Sequence, residues 1–251
     1  MATLVSAIPL FSAVRDAMFL SGTVSALDQP TPTMRRIQLR GPRLKGLTWT
    51  PGQHVRLQVA GFRESVVRLR PRDTLRTYSI HQTDPDAGTL DLVMFDHGVA
   101  ETPAKRWAAT VSVGDKVTFT RPQGNFVVRP DAPHHLFVGE ETASVAFAAM
   151  LRSLPAGAAV HGVVEGEPGA TPLPLAHGVT HVQRAGSAAD STALTDALRA
   201  LDLPDQPGVA YLAGEARTIQ RLRRILTDER GWDRRQIVTK PFWTPGRTGM
   251  E

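Results

Sequence analysis

The sequence predicts a β barrel followed by an α/β unit built on a parallel sheet. Two changes of pattern predict it. Between residues 22 and 128 short β-type runs recur with turn chemistry between them. After the linker-like stretch Arg129-Pro130-Asp131-Ala132-Pro133, strands alternate with helices. The length supports the division, because 251 residues can form two units of ordinary size. The expected boundaries are 1–130 for the barrel and 134–251 for the α/β unit.

The barrel is read strand by strand. Over 53–59, Val55, Leu57 and Val59 alternate with His54, Arg56 and Gln58, the period of a strand with one buried face. Shorter runs fall at 22–26, 36–39, 77–81, 89–94 and 116–120. Pro51-Gly52, Asp84-Pro85-Asp86 with Gly88, and Gly114-Asp115 supply the turns. Many short strands with regular turns suggest a closed or nearly closed barrel. One helix interrupts them, starting Thr102-Pro103-Ala104 and running through Trp107. Thr102 suits an N-cap and Pro103 the first helical position. A helix start is a natural seat for a phosphate, although most such caps bind nothing.

In the second half, 136–138 reads as a buried strand and 142–152 as a helix. Further strands are expected at 159–165, 180–184 and 209–213. The helix over 191–201 carries Leu194, Ala197, Leu198 and Leu201 on one face. The next carries Ile219, Leu222, Ile225 and Leu226, with Gly231 as its stop. Parallel sheets bind ligands at the carboxyl ends of their strands.

Composition narrows the function classes. With 41% hydrophobic and 21% charged residues the profile is globular. There is no cysteine, which excludes disulfides, thiolate metal sites, cysteine-ligated clusters and a catalytic thiol. No protein metal site is expected. The net charge of +5 fits nucleic acid, an anionic cofactor or an acidic small substrate. Aromatic residues make up 6% and do not interleave with the basic clusters at 35–36, 68–72 and 221–224, so no base-stacking surface is indicated. The first twenty residues read as an amphipathic lead-in helix, not a targeting segment, and no later stretch suits a bilayer. A cytoplasmic location, no membrane partner and a monomer are the expectations. His134-His135 lie next to each other on a strand, which makes a poor chelate and predicts a strand entrance with one exposed histidine.

Three segments carry chemistry. In Arg76-Thr77-Tyr78-Ser79, arginine can fork two donors onto a pyrophosphate, tyrosine can lie against a flat ring, and serine can donate to a ring nitrogen. The same four residues would also make an ordinary amphipathic strand. The turn Phe137-Val138-Gly139-Glu140-Glu141-Thr142-Ala143 ends a buried strand and opens a helix. It lacks the dinucleotide glycine pattern, and its two acidic residues would repel a pyrophosphate set directly on them. The run Lys240-Pro241-Phe242-Trp243-Thr244-Pro245-Gly246-Arg247 is rigid, aromatic and basic, or else a tail that lays Trp243 over the core.

In this order and spacing, the three segments resemble the siderophore-interacting protein family, within the ferredoxin–NADP reductase superfamily. The resemblance runs from about Val24 to Gly249. Arg76-x-Tyr78-Ser79 is similar to the superfamily's flavin motif. Pro103-Ala104 with Trp107-Ala108 and Gly114-Asp115 is similar to the phosphate helix and the turn after it. Gly139-x-Glu141-Thr142-Ala143, Gly214-Glu215-Ala216 and Trp243-x-x-Gly246 are similar to later motifs. Departures are Phe95 for a histidine, Thr102 for a glycine, Glu140 for an aspartate, Phe242 for a tyrosine, and Lys240-Pro241.

The resemblance implies a six-stranded antiparallel FAD-binding barrel and a nicotinamide-binding α/β unit whose tail returns to the flavin. It implies FAD as cofactor and NADH or NADPH as donor. The implied cofactor-binding residues are Arg76, Thr77, Tyr78, Ser79, Met94, Phe95, Thr102, Pro103, Ala104, Trp107, Glu141, Thr142, Ala143 and Trp243. The implied activity is ferric-siderophore reduction, with the iron arriving in the substrate. An anionic ferric siderophore calls for a basic pocket, for which Arg56, Arg121, Lys240 and Arg247 are the candidates; each could equally be a solvated charge. The alternative is a flavin reductase exchanging electrons with a ferredoxin or other protein. A non-enzymatic carrier is disfavoured because Arg76 and Tyr78 are both present.

Overall fold

The computed structural model describes residues 18–59, 75–95, 103–175 and 178–246. Most of the expected lead-in helix, the arginine cluster at 68–72, Thr102 and Arg247 lie outside the described residues.

Six strands close the barrel: β1 (Phe19–Thr31), β2 (Met34–Arg40), β3 (His54–Gln58), β4 (Leu75–Asp84), β5 (Thr89–Phe95) and β6 (Lys116–Thr120). Their order is β1-β2-β5-β4-β3-β6, and every neighbouring pair is antiparallel. The inward half of the alternation read from 53–59 holds, because Val55 and Leu57 are fully buried with Val24, Leu39, Ile80, Leu92 and Phe119, but His54, expected on the polar face, is buried too, at 6% exposure. Gly52 makes the turn before β3 at φ 101°, and a Cβ there would stand 2.0 Å from the Phe126 carbonyl oxygen. Only glycine permits that approach of turn to connector.

The helix expected after Thr102 is α1 (Pro103–Thr110). Trp107 and Ala108 pack against the barrel core. Arg35 on β2 donates to the carbonyls of Ala108 and Val111, holding the helix at its carboxyl end.

The second half is a five-stranded parallel sheet in the order β11-β10-β7-β8-β9. Its strands are β7 (His135–Glu140), β8 (Val160–Gly166), β9 (Val179–Gln183), β10 (Val209–Glu215) and β11 (Ile237–Trp243). The helices are α2 (Ser144–Arg152), α3 (Thr192–Ala200) and α4 (Ala216–Arg224). The chain moves outward from β7 through β8 to β9, then crosses back to β10 and β11. The topological switch therefore lies between β7 and β10, where such sheets bind ligands.

Two sequence expectations change. Residues 240–243, read as part of a rigid tail, belong to edge strand β11. Pro241 concealed it, yet an edge strand tolerates a proline. His134 and His135 are both buried, at 2% and 1% exposure, so neither is the exposed histidine expected. Both faces of the sheet are covered at this end. His134 meets Trp232 edge-on, and His135 stacks on Phe137 and Tyr211.

Helix α2 joins the halves. Phe147 and Met150 pack with Phe126, Phe137 and Tyr211, while Val145 and Ala148 pack with Met34 and Val93 of the barrel. Arg152 at its end donates to the His81 carbonyl at 2.5 Å. This explains why eight of its nine residues are buried and why its sequence carries no polar face.

Candidate functional site: a split barrel wall beside the sheet's carboxyl edge

Strand β4 is paired on both sides for only part of its length. Against β5 the ladder runs from Asp84↔Thr89 to Ile80↔Leu92 and ends there. Against β3 it continues from Ser79↔His54 to Leu75↔Gln58. The wall therefore opens between residues 75–79 of β4 and Val93, Met94 and Phe95 of β5. The split edge carries Arg76, Thr77, Tyr78 and Ser79, all at least partly exposed, whereas Ile80 just beyond is fully buried.

Tyr78 packs against the barrel core, and burial pushes its hydroxyl up to about 12, which leaves it a protonated donor at neutral pH. Arg76 donates to its neighbour's carbonyl, Leu75 O, at 2.9 Å. Met94 is buried in the barrel core. Phe95 packs against the cluster of Met34, Val93, Val145 and Ala148 where the barrel meets α2. Ala104 and Trp107 lie on α1, whose first turn contains no acidic residue.

A basic face adjoins the split. His54 and Arg56 alternate with the inward Val55 and Leu57, and they sit opposite Ser79 and Thr77. Lys240 on β11 lies within electrostatic reach of both. Burial first, then Lys240 and Arg56, push His54 down to about 4. Burial and Arg56 lower Lys240. The structure thus brings Arg56 and Lys240 together from separate halves of the chain, and adds His54. Arg121 is exposed just past β6, with its backbone N–H on Met18.

The sheet's carboxyl edge is acidic and self-capped. Glu140 ends β7, accepts Thr142 N–H at 2.8 Å and the Thr142 hydroxyl, and takes Trp243 Nε1–H at 3.0 Å. Burial, then Glu141, push its carboxyl up to about 7. Glu215 ends β10 and accepts the N–H groups of Arg217 and Thr218 at the start of α4. Ser191 caps α3 and donates to Glu165, whose carboxyl burial raises. Glu141 receives both Arg184 guanidinium nitrogens, at 2.5 and 2.6 Å. Thr142 and Glu141 are therefore engaged within the protein, and Ala143 is fully buried.

These arrangements can be tested against the two nucleotides. A flavin fits: the split edge offers an arginine, two hydroxyls and a phenol, and the first turn of α1 contains no acidic residue. The fit to a dinucleotide is poorer at the switch point. The first-turn N–H groups that would meet its pyrophosphate already meet carboxylates. Sequence reasoning missed His54, Arg184 and Glu165, and it placed Glu140 and Glu215 only within the stretches 139–143 and 214–216 that the family resemblance sets along the nicotinamide side, without their capping role. The repeated Gly-Glu at 139–140 and 214–215, each ending a buried strand before a helix, was the available signal.

Comparison with known proteins agrees with this architecture. Residues 23–126 match the siderophore-interacting FAD-binding domain, and residues 132–246 match the siderophore-interacting protein pattern. The chain belongs to the siderophore-interacting protein family, and its barrel is an FAD-binding domain. It is 32% identical over 196 residues to an uncharacterized protein of Mycobacterium tuberculosis, covering 70% of this chain and 67% of that one. It is 25% identical over 182 residues to the ferric vibriobactin reductase ViuB of Vibrio cholerae, covering 68% of this chain and 65% of ViuB. The crystal structure of the siderophore-interacting protein SipS from Aeromonas hydrophila superposes with a TM-score of 0.78 at 26% identity, covering 92% and 94% of the two chains. Among the described residues, no helix is long and apolar enough to cross a membrane.

Proposed function

We propose that this protein is an FAD-dependent ferric-siderophore reductase that draws its electrons from NADH or NADPH and releases iron by reducing Fe(III) to Fe(II). The observation that carries the reading is the adjacency of the split edge of β4 and the basic pair Arg56 and Lys240. One suits a flavin and the other an anionic chelate, and Arg56 is paired directly across from Thr77. Bound FAD supplies the exchange between a two-electron donor and a one-electron acceptor.

The protein's residues would do the rest. Arg76 would hold the pyrophosphate, with Thr102, Pro103 and Ala104 offering the helix start. Tyr78 and Ser79 would contact the ring system, with Thr77, Met94, Phe95 and Trp107 around it and Trp243 near the ring face. Arg56 and Lys240, with Arg121 and Arg247, would attract the ferric chelate, a hard anion that needs no protein ligand to its iron. In this reading residues 1–130 bind FAD, while Glu141, Thr142 and Ala143 in 134–251 flank the donor. The test is Fe(II) production, trapped by a ferrous-specific chelator, with FAD, a nicotinamide and an anionic ferric chelate. Saturable Fe(II) release supports the reading, and none with either nicotinamide contradicts it.

One observation favours a second reading. Because Glu140 and Glu215 cap the helix starts at the switch point, a protein donor such as a ferredoxin has an advantage over a dinucleotide there. Turnover that requires a reduced ferredoxin would establish that alternative.

A further inference from the structure

Three strand ends meet at the carboxyl edge of the sheet, where β10 lies between β7 and β11. Glu140 closes β7, Gly214 stands one residue before the end of β10, and Trp243 closes β11. The Glu140 side chain passes over Gly214. A Cβ on residue 214 would stand 2.7 Å from Glu140 Cγ and 2.8 Å from Oε1. Beyond Gly214, Oε1 accepts the indole Nε1–H of Trp243 at 3.0 Å. On the near side, Thr142 anchors the carboxylate through its N–H on Oε2 at 2.8 Å and its hydroxyl on Oε1. Capping the turn at Thr142 needs Oε2 alone. Oε1 is aimed across a neighbouring strand at a ring.

We propose that Glu140 is a positioning residue: it holds the Trp243 indole where sheet and barrel meet, and so sets how that ring lies against the flavin. The inference rests on the proposed placement of Trp243 beside FAD. Strand β11 supports it, because Lys240, three residues earlier, lies within electrostatic reach of His54 and Arg56 on the barrel.

An ionised carboxylate can accept all three bonds at once. Adding a proton turns one oxygen into a donor and a poorer acceptor, and a proton on Oε1 weakens the bond from the indole N–H. The charged groups around Glu140 are Glu141 beside it, Arg184 holding Glu141, and Glu215 at the end of β10; on β11, Lys240 faces His54 and Arg56 instead. Burial and Glu141 bring its titration to about 7. The hold on the indole is therefore firm above neutrality and loose below.

The experiment uses the full chain before any cofactor is added. Subtracting the emission of Trp243→Phe from that of the wild type isolates the indole. That difference spectrum should shift with pH, with a midpoint of about 7. Glu140→Gln keeps an acceptor oxygen and should show no midpoint. Glu140→Ala should be red-shifted at every pH; if it fails to fold, the near-isosteric glutamine variant still decides. A wild-type emission without a midpoint, or equal emission from the alanine and glutamine variants, overturns the hold. After loading with FAD, the visible flavin band should follow the same midpoint in the wild type and not in Glu140→Gln. A flavin band indifferent to that midpoint overturns the positioning role while leaving FAD binding intact. Failure to take up FAD sinks the functional reading instead, and the emission then decides the hold alone.

Discussion

Arg184 donates one guanidinium nitrogen to each carboxylate oxygen of Glu141, at 2.5 and 2.6 Å, with both residues buried. Breaking such a pair leaves an uncompensated charge in the interior, which costs roughly 3–5 kcal/mol. Arg184 also lies 3.5 Å from Glu165 and 3.5 Å from Glu167. Arg184→Ala therefore strands more charge than Glu141→Gln does, and it should lower the urea midpoint further. A double-mutant cycle should return a coupling of more than about 1 kcal/mol. Additive effects would show that the pair is not formed.

Gly214→Ala should break the Glu140–Trp243 bond without touching either residue. The position has φ 129°, and its added Cβ would meet the Glu140 side chain at 2.7 Å. Strain and clash together should destabilise by about 2–4 kcal/mol. The indole emission should move as in Glu140→Ala. Wild-type emission in a folded variant would show that Glu140 does not cross over this strand.

His54 makes stability depend on pH. Its folded value of about 4 lies below the ordinary 6.5, so the unfolded chain binds more protons between those values. Stability is full above pH 6.5 and falls as pH drops through that window, by roughly 1–3 kcal/mol allowing for solvent at the ring. His54→Gln should flatten the slope of melting temperature between pH 7 and 5. A bound anion beside Arg56 and Lys240 should raise His54, which NMR titration with a diamagnetic gallium chelate can read. No upward shift would separate His54 from the anion site.

Substitutions should divide FAD binding from chelate binding. Arg76→Ala should weaken FAD on the order of 10- to 100-fold, the loss of a charge-assisted bond to phosphate. Arg56→Ala with Lys240→Ala should raise the KM for an anionic ferric chelate by about 10-fold and leave FAD affinity unchanged. Flavin fluorescence quenching and steady-state kinetics measure the two. The opposite pattern would exchange the two assignments.

Much of the fold was legible because each element announced its own period. The alternation at 53–59 gave β3, and the apolar spacing of Leu194, Leu198 and Ile219, Leu222 gave α3 and α4. Strand β11 was hidden by Pro241, since local rules cannot see that a strand will lie at an edge. The histidine pair was misread because alternation predicts one exposed face only when one face of the sheet is bare. In the site, Arg56 and Lys240 were readable as charges, but only the fold sets them within reach of each other across some 184 residues of sequence. The bond from Trp243 to Glu140 crosses one strand, β10, at a glycine, which no sequence spacing encodes.

The most direct measurement of the central claim is the visible absorbance of the FAD-loaded protein under anaerobic conditions, recorded in three steps. The flavin bands should bleach when NADH or NADPH is added, and return when an anionic ferric chelate follows. A protein that takes up no flavin, or whose reduced flavin keeps its electrons in the presence of the chelate, would contradict the account.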